Sequence, residues 1–194
     1  MPNILNTRAL RQRQTGFTLI ELTLVLLVIA VLGLLVTPQI RAYMIDGRVD
    51  PTAKDLVQAV TRIRANAIGQ GQTPYATVAT ATLANTLRDR STALTITGTG
   101  NSAVVTHGLG ATGATVVMAP GTITSAGDSM VVTFNAVANA ACPGLATQLQ
   151  NTAEIVAVNS TTVKSIPAST AYSGQVAQDA CTAGDNNTFV FTFR

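Results

Sequence analysis

Two hydrophobic patterns divide the chain. From Phe17 to Val36 the sequence FTLIELTLVLLVIAVLGLLV is apolar almost without interruption, and Glu21 is its one charge. A helix of that length spans roughly 30 Å, enough to cross the hydrocarbon core of a bilayer. Beyond it the apolar positions recur at helical spacing, so that Leu56, Val60, Ile63 and Ala67 share one face. Asp50 before Pro51 predicts an N-cap with proline at the first helical position. Gly47 predicts a kink over 47–51 or a break between two helices there, and Gly69 and Gly71 predict the helix end. A shorter helix is expected over Pro74–Arg88.

From about residue 92 the period changes. ALTIT, ATVVMA, SMVVTF, AEIVAV and FVFTFR alternate or form short apolar runs, and both patterns predict strands. Gly, Asn, Asp and Ser between them predict turns. NAACPGLATQLQ predicts a short helix carrying Cys142, and STAYSGQVAQDACTAGDNN predicts a loop carrying Cys181. The expected fold class is α+β, with a long N-terminal helix on an antiparallel β-sheet. Its expected parts are a basic leader over 1–16, an apolar helix over 17–36, an amphipathic continuation over 37–70 and a globular αβ domain over 71–194.

Composition sharpens this picture. Charged residues are 11% and hydrophobic ones 47% of the 194, which excludes a disordered chain. The formal charge of +3 comes from the leader: Arg8, Arg11 and Arg13 all precede Phe17, and no acidic residue does. Without the leader the chain is neutral, so its charge balance gives no argument for nucleic-acid binding. The cysteine count is even and the start resembles an export signal, so Cys142 and Cys181 are expected to form a disulfide. Such a ring of about 40 residues is worth roughly 4 kcal/mol in the chain-entropy description.

Three arginines ahead of the apolar run place its N-terminus on the cytoplasmic side. In an ordinary secretory signal the small-residue cleavage site follows the apolar region. Here the small residue, Gly16, precedes it. Cutting after Gly16 removes the leader, keeps the helix and creates a new amino group on Phe17. Glu21 then lies about one turn from that terminus, where the helix dipole favours a carboxylate. An unpaired acid at the bilayer centre costs about 3 kcal/mol on insertion scales, so Glu21 calls for a cationic partner.

The stretch TGFTLIELTLVLLVIAVLG resembles the class III signal of type IV prepilins and the related pseudopilins. Glycine, aromatic, acid and apolar tail stand in the family's fixed order. The resemblance implies cleavage between Gly16 and Phe17 by a prepilin peptidase and N-methylation of Phe17. It implies that Glu21 pairs with the terminal amine of an adjacent subunit. It also implies that the helix loosens between Gly33 and Pro38 on assembly. The late cysteine pair, ACPGLATQL, AVNSTTVKS and CTAGDNNTFVFTFR most resemble type IVb pilins of the toxin-coregulated, bundle-forming and thin conjugative kinds. The Phe start and the 16-residue leader depart from that subclass.

The implied function is that of a structural subunit, the major pilin of a type IV pilus. It would be inserted in the bacterial inner membrane and polymerised with copies of itself into an extracellular helical filament. Implied partners are the peptidase, an inner-membrane assembly platform and an assembly ATPase. The alternatives are a minor pilin or type II secretion pseudopilin and, in another class, a membrane-anchored binding module that never polymerises.

Enzyme, metal and cofactor chemistry finds little footing. GTGNSA, Gly98 to Ala103, fits G-x-G-x-x-A, but Gly-rich, strand-like sequence follows where a dinucleotide site needs a helix. His107, the one histidine, lies among glycines and reads as a solvated loop residue. Asp179 and Asp185 flank Cys181 and read as turn formers rather than calcium ligands. Arg62, Arg64, Arg88 and Arg90 read as solvated helix faces, diluted by Asp55 and Asp89. No catalytic residue, metal or cofactor is expected.

Overall fold

The computed structural model describes residues 16–194. Most of the leader therefore lies outside the described residues. The chain divides between Gln39 and Ile40 into two compact units.

The first unit is dominated by α1 (Leu19–Asp46), whose C-terminal end continues past the division. Its apolar part is long enough to cross a membrane, and none of that part is buried in the protein. Leu19, Ile20, Leu34 and Leu35 all stand exposed. Water is a poor solvent for such a surface, so lipid or other apolar helices are its natural surroundings. The helix runs unbroken through Gly33 and Pro38.

The second unit, Ile40–Arg194, has its own core. A turn at Gly47–Arg48 separates α1 from α2 (Val49–Ala67), the break being one of the two expected outcomes. Asp50 is not the N-cap. Arg48 holds that position at φ −92° and ψ −10°, and Asp50 lies in the first turn with its carboxylate 2.6 Å from the Lys54 ammonium. The turn at Gly47–Arg48 already delivers the backbone near helical dihedrals, so the helix begins two residues before the sequence signal. Leu56, Val60, Ile63 and Ala67 are buried on one face, as their spacing requires. Past the helix end, Gly69 and Gly71 take φ of +87° and +86°, a region costly for other residues.

α3 (Thr80–Leu87) starts later than expected. Residues 74–77 form a turn instead, because the Tyr75 amide donates to the Gly127 carbonyl at 2.9 Å. Then come β1 (Leu94–Thr97), β2 (Val104–His107), β3 (Thr115–Thr122) and β4 (Ala126–Val137). α4 (Cys142–Leu149), β5 (Ile155–Val158), β6 (Thr161–Ser165), α5 (Gly174–Asp179) and β7 (Asn187–Phe193) follow. GTGNSA is a single tight turn joining β1 to β2, adjacent antiparallel strands, so it opens no nucleotide-binding helix. α5 lies where a loop is expected; the Ser173 hydroxyl caps it, accepting the Val176 amide at 3.3 Å. β6 has a weak sequence signature because only Val163 and Ser165 of its five residues face inward.

The seven strands form one antiparallel sheet in the order β1-β2-β3-β4-β7-β5-β6. The last strand of the chain is thus inserted between β4 and β5. Phe189, Phe191 and Phe193 alternate onto its inner face and are fully buried with Phe134. Phe134 meets Phe191 edge-on at 6.1 Å between ring centroids. α2 packs on α3 and α4, and these helices cover the inner face of the sheet. Gly110 is required where the β2–β3 connection crosses the bulge of β4. A Cβ there would lie 1.9 Å from the Ala136 carbonyl oxygen.

Candidate functional site

Three groups of residues carry the functional expectations, and each is held differently. At the start of α1, Gly16, Phe17 and Thr18 precede the helix and are exposed, Phe17 by 79%. The Thr18 hydroxyl accepts the Glu21 amide at 3.3 Å, and its carbonyl accepts the Leu22 amide at 3.1 Å. Thr18 is therefore the N-cap, and T-x-x-E is the sequence pattern of a capping box. The cap fixes where the helix starts and so puts Glu21 in the first turn, near the positive end of the helix dipole. Among the described residues its carboxylate has no cationic partner. The Gly16–Phe17 peptide bond lies outside regular structure, and both residues are exposed.

Gly33 and Pro38 lie further along the same helix. Glycine weakens helix propensity, and proline at 38 removes the amide that the Leu34 carbonyl would accept. The Thr37 hydroxyl donates to the Gly33 carbonyl at 2.7 Å, a contact that competes with the backbone ladder. The helix is continuous here but lacks the backbone bond that Pro38 cannot donate.

In the second unit, Cys142 at the start of α4 and Cys181 after α5 form the disulfide, with 6.1 Å between their Cα atoms and a sequence separation of 39. It closes a ring holding β5, β6 and α5. A polar network that has no motif secures the same region. The buried Asn187 side chain donates to the Val137 and Thr182 carbonyls at 3.1 and 3.0 Å. Its oxygen accepts the Thr182 amide at 2.7 Å and the Asn159 amide group at 2.7 Å. Asn159, at φ 50°, in turn accepts the Thr188 amide at 2.8 Å.

The remaining candidates are reassigned by their contacts. His107 is buried at the end of β2, not solvated in a loop. Its Nε2–H donates to the Asn135 carbonyl at 3.0 Å, and its Nδ1 accepts the Leu109 amide at 3.1 Å. Both contacts are satisfied only by the neutral ring with its proton on Nε2. Burial pushes its pKa below the ordinary histidine value, against a smaller opposing pull from the Asn135 carbonyl. The glycines around it suggest a loop in sequence, but Gly108 makes room for the Arg48 side chain and Gly110 for the crossing backbone of Ala136.

Asp185 and Asp179 have separate partners: Asp185 pairs with Arg41 at 2.5 Å, and Asp179 accepts the Gln175 amide group at 3.1 Å. Among the described residues no three metal-ligating side chains cluster. Arg64 donates to the Thr152 carbonyl at 3.3 Å and lies over the Phe193 ring, and Arg88 donates to the Gly98 carbonyl at 2.8 Å. Asp128 accepts three amides, from Ile123, Thr124 and Ser125, and a guanidinium N–H of Arg194. Its burial opposes ionisation, but these donors together outweigh it and hold the carboxyl well below the usual range.

Comparisons with known proteins bear on both ends of the chain. The prokaryotic N-terminal methylation motif matches residues 11–37, and the family described as PilS N terminal matches residues 51–194. The crystal structure of a type IV b pilin from Salmonella typhi is similar, with 21% identity and a TM-score of 0.53 over 73% of this chain and 97% of that one. TcpA, a type IV pilin from Vibrio cholerae El Tor biotype, aligns at 14% identity and a TM-score of 0.46 over 76% of this chain and 99% of that one. The first of these shares the fold. No curated protein sequence matches the chain.

Proposed function

The chain belongs to the type IV pilins, in the PilS N-terminal family, and on that premise we propose that it is the major subunit of an extracellular type IV pilus. Members of this family are structural subunits rather than enzymes. The methylation motif and the apolar helix behind it are those of a membrane-anchored precursor. In the proposed sequence of events a prepilin peptidase cuts after Gly16, Phe17 is N-methylated, and an assembly platform driven by an ATPase moves the subunit from bilayer to filament.

The observation that carries this reading is α1 itself. Its apolar part, exposed on every side and charged only at Glu21, is soluble in lipid and equally able to form the dry centre of a helical bundle. Glu21 supplies the register. Its carboxylate has no partner among the described residues, and burial without one is costly. We assign it the Phe17 amine of a neighbouring subunit. Loosening of α1 between Gly33 and Pro38 then lets each globular unit reach its packed position. An unbroken helix over 33–38 in a filament density map would contradict that step.

Intact mass spectrometry of filaments sheared from cells tests the whole reading. The expected dominant species is Phe17–Arg194 plus one methyl group and minus two hydrogens for the disulfide. Recovery of that species only in the membrane fraction would favour a minor pilin or a secretion pseudopilin. A chain still carrying its leader would overturn the processing scheme. Glu21→Ala should abolish filaments while the protein still accumulates in the membrane. A non-polymerising anchored module would instead insert as well or better.

A further inference from the structure

The four arginines of the α2–α3 region separate into two kinds. Arg64 and Arg88 are committed to backbone carbonyls. Arg62 and Arg90 form no ion pair among the described residues, and both line one cleft of about 470 Å³. Asn66 of α2 and Asn85 of α3 line it with them, together with Ala65 and Thr86. Among the described residues no carboxylate lines it, although exposed Asp89 precedes Arg90 in the chain; Asp55 is turned to the Ser91 hydroxyl and the Thr92 and Ala93 amides, at 2.7, 2.9 and 3.0 Å. Through Asn66 and Thr86 the cleft runs into a smaller hollow lined by Ile63, Ala67 and Val78.

From this arrangement we infer that the α2–α3 cleft binds the carboxylate and adjoining hydroxyls of an acidic sugar. Guanidinium groups match a carboxylate bidentately, and a primary amide both donates to and accepts from a sugar hydroxyl. In the adjoining hollow Ile63, Ala67, Pro74 and Val78, set among the polar Gln70, Thr77 and Thr82, offer apolar contact for the C–H face of a pyranose ring. The cleft lies within the usual size of a small-ligand site, roughly 300–1,000 Å³. Single-stranded nucleic acid fits it less well, because no aromatic side chain lines it to stack a base. The ligand class follows from the cleft and does not depend on filament formation.

The test is calorimetric titration of the full chain, in micelles of a sugar-free detergent, with tri-galacturonate. Neutral galactotriose and a single-stranded oligonucleotide serve as comparison ligands. The expected result is saturable binding of the acid and none of the neutral sugar. Binding should weaken about tenfold or more in an Arg62→Ala/Arg90→Ala variant and persist in Arg88→Ala. Absence of saturation up to about 10 mM would overturn the inference. Unchanged binding in the double variant would also overturn it. Displacement by the oligonucleotide at equal charge concentration would reduce the cleft to a non-selective polyanion surface and overturn the sugar assignment.

Discussion

At the scale of single residues, the side chains that fix the globular unit are those with saturated polar contacts. Asn187 uses both amide hydrogens and its oxygen, all in the interior. Truncating it leaves the Thr182 amide and the Val137 carbonyl short of partners in a dry site. Asn187→Ala should destabilise the fold by about 2–4 kcal/mol in urea unfolding, and Asn187→Asp should not rescue it because a carboxylate cannot donate. A loss below about 0.5 kcal/mol would contradict that account.

His107 sets a pH dependence. Its folded pKa lies below the unfolded value of about 6.5, so the unfolded chain takes up the proton first as pH falls. Stability should be full above that value and decline from about pH 6.5 down to the lowered folded pKa. Asp128 is shifted in the same direction, and its contribution is present above about pH 4 and lost below it. His107→Gln, neutral at every pH, should flatten the upper part of the profile and leave the lower part intact. A wild-type profile flat between pH 7 and 5 would contradict the burial argument.

At the scale of elements, the disulfide joins the start of α4 to the segment after α5. It restrains the unfolded chain and holds in place the β5–β6 hairpin, whose outer edge is already occupied. Ser165 and Thr170 exchange backbone bonds at 3.0 and 2.8 Å, and Ser173 donates to Val163. Replacing Cys142 and Cys181 together by serine should cost about 2–5 kcal/mol. Limited proteolysis should then open the region over 159–186 first, while α2, α3 and β1–β4 persist longer. Uniform cleavage across the domain would contradict a local role. The apolar part of α1 belongs to a different regime, because it gains nothing from packing among the described residues and must find its solvent elsewhere.

At the scale of the whole molecule, the sheet order explains why the chain's last strand is central to its stability. β7 pairs with both β4 and β5 and brings three phenylalanines to the core. The unit cannot close its sheet until its C-terminus arrives, and Arg194 then ties the end to Asp128 beside the β3–β4 turn at 2.6 Å. The two compact units separate two requirements. The first presents an apolar helix suited to lipid or a helical bundle, and the second folds around its own core.

The sequence by itself determined the apolar helix, the Gly16–Phe17–Glu21 order, the amphipathic face of α2 and most of the strands. Those features follow from local periodicity and fixed spacing, which one stretch of chain carries entirely. The even cysteine count and export-like start pointed to the Cys142–Cys181 bond that the structure contains. Only the tertiary structure decided that His107 is buried and neutral, that β7 lies between β4 and β5, and that Asn187 and Asn159 close the C-terminal region. It also separated Arg62 and Arg90 from Arg64 and Arg88. These are contacts between residues far apart in the chain. Polar side chains carry no periodic signature, so what they bond to depends on which backbone the fold brings beside them.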